Sequence, residues 1–306
     1  MKAKTILAIV AGLILAGPVA RECKATGTFT LNGTDANTVN TPYDSGTLHD
    51  DSKAEIVSGG YVGNIDAWEN SQVYLPSGGV GGVVGNIAAF GNSLVKLSGG
   101  QVNGTISAYN TSTVSVDGGT VSGSIIPYNT SILNITDGYV NYIDTSHSVT
   151  SSVSISGGYV DYYWAWSPVN ISDGLVAGLA AEGTAHVTIS GGAVNGLAAT
   201  GTNTVAVSGG QVDFIFATDT SILTFDAKEE GLSLGDGLFR SGNQVWGVGE
   251  LTGYWHDGTS FHTIINGGSS SVVPEPATMV CGLIGLGMIG RYIKKHRGSK
   301  ARPAHS

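Results

Sequence analysis

Apolar and polar residues alternate along the middle of the chain, and the alternation recurs in units of about 19 residues. Each unit has an apolar-x-apolar strand, a turn that is usually Ser-Gly-Gly, and a second strand that begins with a valine. The valines fall at positions 62, 83, 102, 121, 140, 160, 176, 194 and 212. The first strand recurs as Val73-x-Leu75, Val95-x-Leu97, Val114-x-Val116, Leu133-x-Ile135, Val153-x-Ile155, Val169-x-Ile171, Val187-x-Ile189, Val205-x-Val207 and Leu223-x-Phe225.

Within one unit the alternation has period two, which places one set of side chains inside and the other outside. In the unit after Gly100 the predicted inward set is Val102, Gly104, Ile106, Ala108, Ser112, Val114 and Val116. One such unit cannot bury its apolar set alone, whereas stacked units can. The pattern predicts an all-β chain with a single-stranded-type, right-handed parallel β-solenoid of about 9–10 rungs. A β-sandwich of hairpins is the rival fold, but hairpins would not repeat the same columns at one spacing.

Breaks in the repeat define the predicted domains. They are a signal peptide at 1–20, an N-terminal cap at 21–54, solenoid repeats at 55–226, a C-terminal β cap at 227–266, a linker at 267–273 and a tail at 274–300. The first cap contains a candidate strand at Thr28–Leu31. In the second, Asp257-Gly258 predicts a tight hairpin turn between Leu251–His256 and Ser260–Ile265, with a further strand at Gln244–Val248. A signal helix and a C-terminal hydrophobic helix are expected to flank the β body.

Both ends of the chain carry features of protein targeting. Lys2 and Lys4 precede an apolar run at 6–15, and small residues follow it. This pattern is typical of a secretory signal peptide, and the run is too short to span a bilayer. At the other end, a polar-proline box precedes an apolar run at 279–289 and a basic cluster. The box is Val273, Pro274, Glu275 and Pro276, and the basic cluster is Arg291, Lys294, Lys295 and Arg297.

This tail resembles the PEP-CTERM signal, which in Gram-negative bacteria is processed by a membrane protease called exosortase. The resemblance implies an exosortase-type processing protease as partner, with transient anchoring in the inner membrane through the tail. A plain C-terminal membrane anchor is the alternative. We therefore expect an exported protein at the cell-envelope surface or outside the cell, with membrane contact only through the uncleaved tail. The Ser-Gly-Gly repeats and the segment 251–259 also resemble autotransporter-like and other PEP-CTERM surface proteins.

The charge of the chain changes when both ends are set aside. Residues 21–273 contain 6 Lys plus Arg and 22 Asp plus Glu, a net charge of −16. An acidic body with so few basic residues argues against nucleic acid as a partner. Only two cysteines are present, and Cys281 lies in the tail. No disulfide is therefore expected to support the exported fold.

One outward column is rich in aromatic residues, namely Trp68, Phe90, Tyr109 and Tyr128. Flat rings on successive rungs suit stacking on sugar rings, and they equally suit a ladder that stabilises the stacked rungs. Candidate chemistry elsewhere is sparse. The acids Asp161 and Asp213 share a repeat position, and His256, Asp257 and His262 flank the predicted hairpin turn as a weak candidate metal site. No cofactor, metal or catalytic residue is assigned.

Three functions are compatible with this sequence. The first is an exported, non-enzymatic, adhesin-like or structural protein of the cell surface or extracellular matrix. The alternative is a polysaccharide-binding module that uses the aromatic column, which would make an exopolysaccharide the second expected partner. A polysaccharide-cleaving β-helix enzyme ranks third, because residues 55–226 contain 12 acidic residues and only one basic residue, Lys96.

Overall fold

A computed structural model describes residues 27–77 and 81–267. These residues are all-β, contain no helix and form a right-handed-type parallel β-solenoid of about 10 turns, which confirms the solenoid part of the predicted fold. The strands are β1 (Thr28–Leu31), β2 (Ala36–Val39), β3 (Pro42–Leu48), β4 (Lys53–Ile56), β5 (Tyr61–Ala67), β6 (Gln72–Leu75), β7 (Val83–Ala89), β8 (Leu94–Leu97), β9 (Gln101–Val102), β10 (Ile106–Ala108), β11 (Thr113–Pro127), β12 (Ile132–Asp144), β13 (Ser152–Ala165), β14 (Val169–Ala181), β15 (His186–Ala199), β16 (Thr204–Ala217), β17 (Ile222–Phe225), β18 (Ser233–Leu234), β19 (Leu238–Ser241), β20 (Gln244–Tyr254) and β21 (Ser260–Gly267).

Each turn contributes one segment to each of two parallel columns. The first column holds the apolar-x-apolar segments, so that Val187 pairs with Val169 on one side and Val205 on the other. The second column holds the segments after the glycines, so that Val194 pairs with Val176 and Val212. Equivalent residues of successive turns therefore lie in register, about 4.8 Å apart.

The Ser-Gly-Gly segment is a bend inside a continuous strand, whereas the sequence predicted a turn between two strands. From β11 to β16 one strand of 13–15 residues runs through both columns. The two glycines allow this for different reasons. A Cβ on Gly191 would lie closer than 3.0 Å to the carbonyl oxygen of Ser172 in the preceding turn, and Gly192 has a φ of +69°. A side chain at either position would disturb the close approach of neighbouring turns.

The core is the inward set of both columns. Every apolar residue predicted in the first column is buried, as are Ile106, Ala108 and Ser112 in the unit used above. Two predicted positions are wrong. Gly104 is only partly buried, and a Cβ there would meet the exposed Asn86 side chain. Val84, not Val83, pairs with Val62 and Val102 and is fully buried. The extra residues between β6 and β7 place two valines side by side, and periodicity alone could not choose between them.

The solenoid starts earlier than the sequence predicted. β1 is present as predicted, but it pairs in parallel with β3, and β2 pairs in parallel with β4. Residues 28–54, assigned to a separate cap, therefore form regular turns of the same stack. Phe29 and Leu31 pack against its core. The first turns lack the Val, Ile and Ala columns of later units, so their sequence gave no repeat signal.

The C-terminal end is covered by the predicted hairpin. β20 and β21 pair antiparallel, and β21 also continues the second column by pairing in parallel with β16. The two strands predicted on the first arm are one continuous strand, β20. Trp255 in the connection is buried, and its indole nitrogen donates a hydrogen bond of 2.8 Å to the carbonyl oxygen of Gly210. The hairpin is thus anchored to the last turns.

Several predictions concern residues outside the described ranges. These are the signal peptide, the linker beyond Gly267, the C-terminal hydrophobic helix and the Gly-Gly pair at 78–79. Within residues 27–77 and 81–267, no helix has the length and apolar character needed to cross a membrane.

Candidate functional site

The predicted aromatic column forms a stacked ladder at one corner of the solenoid. In each of four successive turns, one ladder residue directly follows the last buried residue of the second column. Ring centroids are 4.0 Å apart for Trp68 and Phe90, 4.7 Å for Phe90 and Tyr109, and 4.5 Å for Tyr109 and Tyr128, with interplanar angles of 10°, 5° and 8°. The ladder ends where Ser146 takes the next position, and the ring of His147 lies tilted against Tyr128 at 5.3 Å.

This stacking decides which aromatic surface is available to a ligand. Both faces of Phe90 and Tyr109 are covered by neighbouring rings, so a sugar would meet only their edges. The geometry favours the interpretation that the ladder stabilises stacked turns. Glycan stacking by these four residues stays a prediction.

A tight turn that was not predicted from the sequence follows each aromatic residue of the ladder. The amide of Ser112 donates to the carbonyl oxygen of Tyr109 at 3.1 Å, and that of Ser131 donates to Tyr128 at 3.2 Å. The residue after the aromatic has positive φ, 58° at Asn110 and 55° at Asn129, a conformation that asparagine tolerates. The signal was an aromatic residue followed three positions later by serine.

The serines of this turn form a buried column inside the solenoid. Among the described residues their hydroxyl oxygens have no hydrogen-bond partner, and all are fully buried: Ser52, Ser71, Ser93, Ser112, Ser131, Ser151 and Ser167. Ala185, Asn203 and Ser221 take the same place in later turns, and the Ser221 hydroxyl donates to the carbonyl oxygen of Thr218 at 2.8 Å. The Asn203 amide donates to the carbonyl oxygens of Ala181 and Thr200, both at 2.8 Å. This place in the turn therefore holds Ser, Ala or Asn, and a polar side chain here can donate to carbonyl oxygens of the corner.

The outward face of the second column changes character along the rod. Near the N-terminal end it is polar, with a depression of about 530 Å³ lined by Ser45, Asn64, Asp66, Asn86, Thr105 and Ser107. There the Asn86 amide donates to Asn64 at 2.9 Å and accepts from the Thr105 backbone at 2.9 Å. Further along, the same face carries Tyr142 and Tyr162, whose rings stack at 5.6 Å with an interplanar angle of 2°.

Beyond Tyr162 the face opens into an apolar cleft of about 180 Å³. Its floor consists of Gly178, Ala180, Gly196 and Ala198, and its far wall of Phe214 and Phe216. The two neighbouring tyrosines of this turn face opposite ways, since Tyr163 is fully buried while Tyr162 is 43% exposed.

Most carboxylates of the body have local structural partners. Asp137 and Asp173 each accept a hydrogen bond from the glycine amide that follows, as expected of turn residues. Asp161 accepts from the Tyr159 hydroxyl at 3.2 Å, and Asp213 accepts from the Gln211 amide.

Asp117 forms an ion pair with Lys96 at 3.1 Å. Its burial opposes ionisation, but hydrogen bonds from Lys96, Ser115 and Thr136 outweigh that effect and hold the pKa of Asp117 below its ordinary value. This network joins neighbouring turns of the first column.

The three residues of the candidate metal site at the hairpin turn each contact a different residue. His256 lies 3.2 Å from Asp226, and His262 lies 3.6 Å from Glu250. Asp257 accepts from the backbone and hydroxyl of Thr259, which lowers its pKa. In the part of the chain that the structure describes, no group of three or more His, Cys, Asp or Glu side chains is arranged to hold a metal ion.

The sorting residues Val273, Pro274, Glu275 and Pro276 and the basic residues Arg291, Lys294, Lys295 and Arg297 lie outside the described residues. Comparisons with protein-family models, with curated proteins and with solved structures find no match to this chain.

Proposed function

We propose that this protein is an exported, non-enzymatic structural component of the cell surface or extracellular matrix. The observation that carries the proposal is the parallel stack of β1–β17, from Thr28 to Phe225, which is closed at one end by an anchored hairpin. Each turn contacts mainly its neighbours, so the unit extends in one dimension, as a spacer or scaffold requires.

The surface of the rod supports a role outside the cell. Its outward positions are mainly polar, and residues 21–273 carry a net charge of −16. A charge far from zero keeps such a rod soluble and limits its self-association. The signal peptide and the tail with its exosortase-type processing partner complete the proposal as the route of delivery.

Surface labelling of intact cells that produce the full chain tests this proposal. The wild-type protein should be accessible to an added protease or be found in the medium. A variant with Pro274→Ala, Glu275→Ala and Pro276→Ala should accumulate in the inner-membrane fraction, whereas Ala277→Ser should behave like the wild type. A wild-type protein confined to the cytosol, or a triple variant distributed like the wild type, would contradict the proposed route.

A further inference from the structure

The apolar cleft on the second column lies where an aromatic stack is interrupted. Tyr142 and Tyr162 stack along the rod, and in the next two turns the same register position holds Gly178 and then Gly196. Phe214 follows in the turn after that. Two aromatic residues therefore face each other across two positions that have no side chain.

The gap between these walls is wide enough to admit a ring-shaped ligand. Three register steps of about 4.8 Å separate Tyr162 from Phe214, a span of about 14 Å. The Tyr162 ring leans over Gly178, since a Cβ there would lie 2.9 Å from its Cδ2 atom. Gly196 is open, because a Cβ there would have its nearest neighbour at 3.9 Å. The remaining space, about 180 Å³, admits a flat ring stacked on one of the two walls.

The walls expose apolar surface that a folded protein normally buries. Tyr162, Phe214 and Phe216 are 43%, 38% and 41% exposed. The floor offers only backbone and small side chains, and its backbone groups already pair between turns. A ligand held here must therefore present apolar faces to the walls and keep its polar groups at the edges.

Charged groups near the cleft restrict the ligand further. Asp144 and Glu182 lie close enough to Tyr142 to raise its pKa, after the larger effect of its burial. Asp161 and Asp213 directly precede the wall residues Tyr162 and Phe214. Carboxylates accept hydrogen bonds from hydroxyl groups and repel anions. The same negative charge opposes docking of a second copy of this acidic chain.

We infer that this cleft binds a pyranose ring of a neutral polysaccharide. Such a ring has a C–H face for Tyr162 or Phe214, and its hydroxyl groups can donate hydrogen bonds to Asp161 or Asp213, which precede these walls in the chain. The inference differs from the aromatic-ladder hypothesis, because the ladder rings cover one another whereas the cleft walls do not. It goes beyond the structural role proposed above and does not depend on export.

Titration calorimetry of the purified full chain tests the inference with cellohexaose, mannohexaose and dextran as neutral probes and alginate as the anionic probe. At least one neutral probe should bind, and alginate should not. Phe214→Ala should weaken that binding by at least about fivefold, the value of one aromatic contact. Phe239→Ala, which removes an exposed aromatic side chain in the C-terminal cap, should leave it unchanged.

A filling variant separates loss of the cleft from loss of the fold. Gly196→Val places a side chain in the open space without a positive-φ penalty and should abolish binding while the thermal midpoint is retained. Thr188→Val changes an exposed residue on the other column of the same turn and should bind like the wild type. Binding of alginate alone, no binding of any neutral probe, or self-association that disappears in Phe214→Ala would each overturn the inference. Because every arm uses purified protein, these outcomes are independent of the export experiment.

Discussion

At the residue scale, two glycines of one strand differ in backbone conformation and in the space available for a side chain. Gly192 has a φ of +69°, and a Cβ there would lie 2.7 Å from the backbone of Asp173. Gly196, on the same strand, has no positive φ and open space above it. Gly192→Ala should therefore lower the free energy of unfolding by at least about 1–2 kcal/mol. Gly196→Ala should leave it unchanged or raise it by up to about 1 kcal/mol. Urea denaturation of both variants checks this, and equal effects would contradict it.

The buried serines give a second residue-scale prediction. The Ser112 hydroxyl is fully buried and has no partner among the described residues, so it adds a desolvation cost without a compensating hydrogen bond. Ser112→Ala should keep the free energy of unfolding or raise it by up to about 1 kcal/mol. The matched core variant Val114→Ala should lower it by about 2 kcal/mol. A loss at Ser112 as large as that at Val114 would show that the hydroxyl is bonded in the folded protein.

At the element scale, two stacked tyrosines are expected to make the stability of the fold depend on pH. Burial, followed by the charge of Asp161, raises the pKa values of Tyr139 and Tyr159, whose rings lie 5.5 Å apart. A raised pKa in the folded state means that the unfolded chain loses these protons first, near pH 10. The stability they contribute is thus present below pH 10 and lost as the pH rises through the folded pKa values.

The double variant Tyr139→Phe, Tyr159→Phe should show a smaller fall in thermal midpoint between pH 8 and pH 11 than the wild type. The reason is that phenylalanine keeps the stacked rings but has no proton to lose. Thermal scans by circular dichroism at each pH measure the difference. The same fall in both proteins would mean that these tyrosines ionise equally in the folded and unfolded states.

The elements also differ in how well the sequence alone predicts them. The first column was predictable because Val187, Ile189 and their counterparts repeat an inward pattern that only stacking can bury. The continuous bend through Gly191 and Gly192 was not, because glycine predicts a turn unless the approach of the neighbouring backbone is known. The cleft was also hidden. It is defined by Gly178 and Gly196, which have no side chains and lie between aromatic residues of other turns. The spacing of residues along the chain does not reveal that these positions are neighbours on one face.

At the scale of the whole molecule, the repeat should allow the rod to be shortened by one whole turn. The equivalent residues Thr113 and Ile132 pair in register, so deleting residues 113–131 joins Ser112 to Ile132 at the correct position. The shortened chain should stay folded, because each turn depends mainly on its nearest neighbours. Its maximum dimension in small-angle X-ray scattering should fall by about 5 Å. Aggregation, or loss of the β-sheet signal in circular dichroism, would contradict a one-dimensional stack.

Delivery concerns the whole molecule too, and it is the central claim of the proposed function. The body is acidic, whereas the cluster Arg291, Lys294, Lys295 and Arg297 is basic and follows the Pro-Glu-Pro box. Cleavage there would release a strongly acidic rod. Intact-mass analysis of the protein recovered from the cell surface or medium is the most direct measurement. The account predicts a mature chain that ends near Pro274, and an exported mature protein that still carries Arg297 would contradict it.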